Sequence, residues 1–187
     1  MKLHRCGITL LFGAAAFLSG GGARGAETAA SAETASVLIK LHHSNQMEIA
    51  AGKLAEEKGQ SKDVKTFGKM LVTDHAAADK KVMKLAKEEK IELPTGAPML
   101  SEAMDKVKSA PAAEFDRKFA TEMLEDHKKD IAEVKEARDT TTDPKLKALL
   151  SSTLPVLEKH RDTAQKLVDK YGAAASATGS NVEGGRK

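Results

Sequence analysis

Six histidines occur in 187 residues, and two of them directly follow an aspartate inside long helical patterns. "KMLVTDHAAADK" at 69–80 and "TEMLEDHKKD" at 121–130 align with His75 over His127 and Asp74 over Asp126; Phe67 then falls on Phe119 and Val82 on Val134. His160, in "TLPVLEKH", and Glu48, in "NQMEIAAG", also interrupt stripes that are otherwise apolar. Three imidazoles and one carboxylate form a donor set for a transition-metal ion. It suits zinc, iron(II), copper(II) or manganese better than calcium, with zinc or iron foremost. The expected metal ligands are Glu48, His75, His127 and His160, with Asp74, Asp126 and Glu158 as acceptors that orient imidazoles on neighbouring helices.

Such residues act together only if the elements carrying them converge. The composition is rich in Ala, Lys, Glu, Leu and Met and only 3% aromatic, which favours helix. Four segments have helical periodicity: 36–58, ending at Gly59; 62–90, capped by Ser61; 111–139, after Ser109; and 144–171, opened by the Asp143-Pro144 signal. Short links make each outer pair an antiparallel hairpin. The central link, 91–110, holds two prolines, a glycine and a short helix over 99–108, and is long enough to cross the bundle or fold back. The fold class is all-α, a four-helix bundle of two antiparallel hairpins with a longer central connection.

Apolar residues three and four apart mark the buried seam of such a bundle. The last helix gives Leu146, Leu150, Thr153, Leu157, His160, Ala164 and Leu167, with a histidine in phase. The second gives Val64, Gly68, Leu71, His75, Ala78, Val82 and Leu85, and the third Phe119, Met123, His127 and Val134. In the first, Leu38, Leu41, Asn45, Glu48, Gly52 and Ala55 share the stripe. At the helical rise, Glu48 and His75 stand about 18 and 22 Å from the first turn, and His127 and His160 about 22 and 27 Å from the other. Pro155, five residues before His160, should bend the last helix there. His42 and His43 are expected at the surface, and Met47, Met70, Met83 and Met123 as core filler.

The first 25 residues belong to a different logic. Lys2, His4 and Arg5 precede an apolar run too short to span a bilayer, followed by "GGGARGA". That pattern is a secretory signal peptide, cleaved near Gly25 or Ala26. A linker over 26–35 and a disordered tail over 172–187 would flank the bundle at 36–171. Lys2, Arg5 and Arg24 account for the whole net charge of +3, so the processed chain is near neutral and gives no support for nucleic-acid binding. Cys6, the single cysteine, leaves with the leader. No later segment is apolar enough for a membrane span, and the expected location is the periplasm. The protein partner is unknown, and a homo-oligomer stays open.

The stretches "MEIAAGKLAEEKGQSKDVKTFGKMLVTDHAAADKKVMKLAKEEKIELP", "AEFDRKFATEMLEDHKKDIAEVKEA" and "DPKLKALLSSTLPVLEKHRDTAQKL" resemble the bacterial exported family called domain of unknown function 4142. The resemblance covers about residues 37–171 and implies a ferritin-like helical bundle in the periplasm, without an activity. Di-iron proteins of ferritin-like fold carry Glu-x-x-His on two helices. Here the residues three before the histidines are Val72, Leu124 and Leu157, so di-iron oxidase chemistry is disfavoured. No Gly-rich phosphate loop or nucleophile motif is present in the sequence. The alternative to metal binding is a structural or partner-binding envelope protein whose His/Glu layer only fixes packing.

Overall fold

The computed structural model describes residues 22–96 and 101–179. Five helices follow in order: α1 (Gly22–Lys58), α2 (Lys62–Glu88), α3 (Glu102–Lys108), α4 (Ala112–Thr140) and α5 (Pro144–Gly179). The local signals act as their chemistry requires. Ser61 accepts the Val64 N–H at 3.2 Å and starts α2, and Asp143 accepts the N–H groups of Lys145 and Leu146 at 2.8 and 3.2 Å to start α5. Lys90, with φ of 57°, takes the left-handed conformation that ends α2.

Two helices are longer than their apolar periodicity indicates. α1 begins at Gly22 rather than at residue 36, through "GARGAETAASAETA", and α5 continues past Tyr171 to Gly179 through "GAAASATG". Alanine has the highest helix propensity and needs no buried face to favour helix, so a search for apolar stripes passes over such stretches. The leader expectation falls mainly on residues 1–21, outside the described residues. No helix among the described residues is long and apolar enough to cross a membrane.

α1 runs antiparallel to α2, and α4 to α5. Ser44–Asp130 and Thr34–Asp143 contacts set α1 antiparallel to α4. Lys145–Glu89 and His160–Asp74 contacts set α2 antiparallel to α5. The bundle is therefore up-down-down-up. α2 ends beside the start of α5, whereas α4 begins beside the α1–α2 turn. The central connection thus returns along the length of the bundle, which answers the question its length left open. Asp116, in the second turn of α4, accepts the backbone N–H groups of Gln60 and Ser61, both at 2.8 Å, and ties the α1–α2 turn to the second hairpin.

The core has two apolar parts. Phe67, Phe115 and Phe119, with Leu54, Met104 and Leu167, fill the end near the α1–α2 turn. Aliphatic side chains alone, Leu38, Val82, Ile131, Leu146, Leu150 and Leu157 among them, fill the other. Met123 and Met104 are buried, but Met83 is 44% exposed and is not core filler. Where α1 crosses α2, Gly52 and Gly68 bring backbone against backbone. A Cβ on either would stand 2.6 Å from the other residue's carbonyl oxygen, so a side chain at either position forces the helices apart.

Candidate metal centre

Between the two apolar parts lies a polar layer. His75, His127 and His160 are all buried, from α2, α4 and α5. One ligand atom from each lies within 4.8 Å of the other two. Their ring centroids are 5.1, 5.2 and 5.8 Å apart. Phe67 meets His160 edge to face at 6.2 Å, closing the layer on the aromatic side.

Each imidazole has one nitrogen committed to an oxygen that can only accept. His75 Nδ1 donates to Asn45 Oδ1 at 3.0 Å, His127 Nδ1 to the Met123 carbonyl at 2.9 Å, and His160 Nε2 to Asp74 Oδ2 at 3.0 Å. These bonds fix the tautomers and leave the remaining nitrogens bare. His127 Nε2 and His160 Nδ1 then face each other at 3.2 Å, while His75 Nε2 is buried without a partner. Two nitrogens on one tetrahedral ion at zinc distances stand about 3.3 Å apart.

The electrostatics keep the three rings neutral. Burial holds His75 well below the ordinary imidazole range, with charge on His160 and His127 adding to the effect. Burial, then His160, lowers His127 to about 4. His160 is lowered by burial against the opposing pull of Asp74. Burial pushes the Asp74 carboxyl upward, but hydrogen bonds from His160 and Lys159 outweigh it and keep the group ionised. Two neutral rings carry two protons for the three contacts His160–Asp74, His127–His160 and His127–Met123, so one of these contacts lacks a proton.

The other expected site residues are placed differently. Glu48 is buried, but its Oε1 lies 3.9 Å from His127 Nδ1, the nitrogen turned away from the triad. It is not in the group whose ligand atoms converge. Asn45, one turn earlier on α1, takes the position beside His75. Of the three acceptors expected, Asp74 alone bonds a histidine of the triad. Glu158 pairs with Lys135 at 3.0 Å, and Asp126 lines a cleft between α1 and α4. His42 is half-buried and makes a 2.7 Å contact with Asp79, whose other oxygen accepts from Gln46 at 2.6 Å. Asn45, the Met123 carbonyl and Asp79 are the functional or clasping groups that the sequence reading did not assign. Asn45 already stood in the seam pattern, which was its available signal.

A cavity of about 450 Å³ opens between α1, α4 and α5 and reaches His75 and Asn45. Its wall is apolar, from Val37, Leu41, Val134 and Leu150, and Glu33, Asp130, Glu133 and Glu136 also line it. The layer therefore has an approach from the surface with carboxylates along it. Four carboxyl groups against one ammonium, Lys40, give this cavity an acidic bias, which favours cations at its mouth.

The profile of the Domain of unknown function (DUF4142) matches residues 20–167. Neither a curated protein nor a solved structure gives a significant match.

Proposed function

Taking as premise that the chain belongs to the DUF4142 family, we propose that it is an exported helical-bundle protein that holds one transition-metal ion through His75, His127 and His160. One observation carries this reading: three neutral rings each fix their outer nitrogen on an oxygen and turn a bare nitrogen inward. Buried unpaired nitrogens cost free energy, and a cation satisfies all three at once. The oxygen acceptors follow the general pattern of metal-ligating histidines, whose second nitrogen is held by a carboxylate or carbonyl. Borderline-soft imidazole donors favour zinc or iron(II) over calcium. A divalent ion bound there would supply Lewis acidity; the chain supplies orientation through Asn45, Met123 and Asp74, and water exclusion through Phe67.

Metal analysis of protein purified without a histidine tag tests the proposal. One equivalent of zinc or iron, with a rise in melting temperature on adding the metal to stripped protein, is expected. Less than about a tenth of an equivalent and no thermal shift would overturn it. Export, to the periplasm in a two-membrane cell, is supported by the basic and apolar order of the leader. N-terminal sequencing of the processed chain should begin at Ala26 or Glu27.

The contact chain Asp74–His160–His127 favours a second reading, in which the layer is a packing device with no ion. It requires His160 or His127 to carry a second proton, against the effect of burial on both. It also leaves His75 Nε2 without a partner. Under it, His160→Leu should be tolerated or stabilising.

A further inference from the structure

On the far side of His127 from the triad, α1 and α4 separate to leave a cleft of about 440 Å³. Glu48, Asp126, Asp130 and Glu133 face it, against Lys40 and Lys129, with His43 also on its wall. Lys129 stands 3.9 Å from Glu133, and Asp130 accepts the Ser44 hydroxyl at 2.9 Å. Four carboxyl groups face two ammonium groups, so acidic side chains outnumber basic ones on this wall. Glu48 is 5% exposed, and its Oε2 has no hydrogen-bond partner. Its one close basic neighbour, His127 Nδ1, has its proton committed to the Met123 carbonyl. Among the described residues, no bond or ion pair reaches Asp126.

We propose that this cleft, which shares Asp130 and Glu133 with the cavity leading to His75, is a second cation site distinct from the histidine triad, and that it takes a hydrated divalent ion of the hard class such as manganese, magnesium or calcium. Asp126 and Asp130 are its direct carboxylate partners, and Glu48 faces the ion from the floor. Oxygen donors with no imidazole nitrogen free to bind select hard ions. The triad is the one group of three or more His, Asp or Glu among the described residues with ligand atoms within 4.8 Å of one another. No three of the cleft's carboxylates converge as the triad's nitrogens do, so an ion held there keeps part of its water shell. A cleft of this volume leaves room for the waters that such an ion keeps.

The test uses Mn²⁺ as probe on the full processed chain, by calorimetry and electron paramagnetic resonance. His75→Ala/His160→Ala removes two triad ligands that do not line the cleft. This variant should still bind one equivalent of Mn²⁺. Adding Asp126→Asn/Asp130→Asn should weaken that binding at least tenfold while helical circular dichroism is unchanged. No Mn²⁺ binding by the triad variant, or equal binding after the acidic changes, would overturn the proposal. A second measurement needs no variant: Mn²⁺ added to the zinc-loaded protein, whose triad is already filled, should broaden amide signals of Ser44, Asp126 and Asp130 first. Broadening centred on His75 and His160, or none, would count against the cleft.

Discussion

The triad and the acidic cleft meet where Glu48 comes within 3.9 Å of His127, yet burial acts on them in opposite senses. Burial lowers the imidazoles, His127 to about 4, and raises the carboxyls, Asp126 from 3.8 to about 6 and Glu48 well above its ordinary value. Both sets thus move toward neutrality, but with different chemical results. A neutral imidazole still has a lone pair and is a finished ligand. A carboxyl made neutral by a proton must surrender it before it can bind a cation. The triad is therefore ready for a metal at neutral pH with little proton release, while loading the cleft draws protons off Glu48 and its neighbours.

The largest effect that can separate the two regions is His127→Ala. Zinc affinity should fall by more than the roughly 100-fold upper range seen for lost outer partners, whereas Glu48→Gln should leave it within about threefold, because this carboxylate does not join the converging nitrogens. Zinc titration against a chromogenic chelator measures both. A comparable loss in Glu48→Gln would erase the boundary drawn here between the regions.

Next come the oxygens that orient the rings. Asp74→Asn leaves His160 with a neutral partner that can flip, and should cost about 10–100-fold in zinc affinity without altering Mn²⁺ binding. Gly52→Ala should disturb the layer through the backbone. Its new methyl group has no space against the Gly68 carbonyl, so stability should fall by about 1–3 kcal/mol in chemical denaturation. Asn45 and His75, each seven residues from its glycine, would separate with the helices.

The smallest effect is a pH slope. Imidazoles with lowered folded pKa bind fewer protons folded than unfolded; their contribution is complete above about pH 6.5 and fades as pH falls toward 4. Carboxyls with raised pKa do the reverse: their contribution is complete at pH below about 4 and is lost as pH rises through 6 for Asp126. Asp126→Asn removes the second trend. In metal-free protein it should be more stable than the parent at pH 7.5, by about 1 kcal/mol after allowance for solvent screening. The advantage should shrink on acidification and vanish below about pH 4. An advantage that grows on acidification would reverse the assignment.

Periodicity alone brought His75, His127 and His160 to the inside, because phase depends only on residue spacing. Height along the axis is harder. The 22 and 27 Å separations of His127 and His160 from their turn close because helical side chains lean toward the N-terminus. That lean carries one away from the turn and the other toward it. On the first hairpin axial rise alone sets Asn45 about 22 Å from the turn, level with His75. The lean would bring Glu48 to that height instead, and the structure joins Asn45 Oδ1 to His75 Nδ1 at 3.0 Å. The attraction of a carboxylate as a ligand hid the amide that fits. The aspartates of "TDH" and "EDH" look equivalent in sequence, but what faces each depends on the neighbouring helix. Asp74 meets His160 across α2 and α5, while Asp126 looks toward α1, which offers Ser44 and Glu48 there. No spacing rule within one helix contains that difference.

Asp116 adds a consequence for how the chain reaches this state. Each hairpin joins segments adjacent in sequence and can form early with little loop-closure entropy, whereas the long return between α2 and α4 makes docking the slow, non-local event. By accepting the two amides at the α1–α2 turn, Asp116 acts as a latch between a hairpin already made and one just starting. The histidines are shared between the hairpins, two on the second and one on the first, so no partly folded hairpin holds the whole triad. The proposed ion would therefore meet all three rings only once the two hairpins have docked.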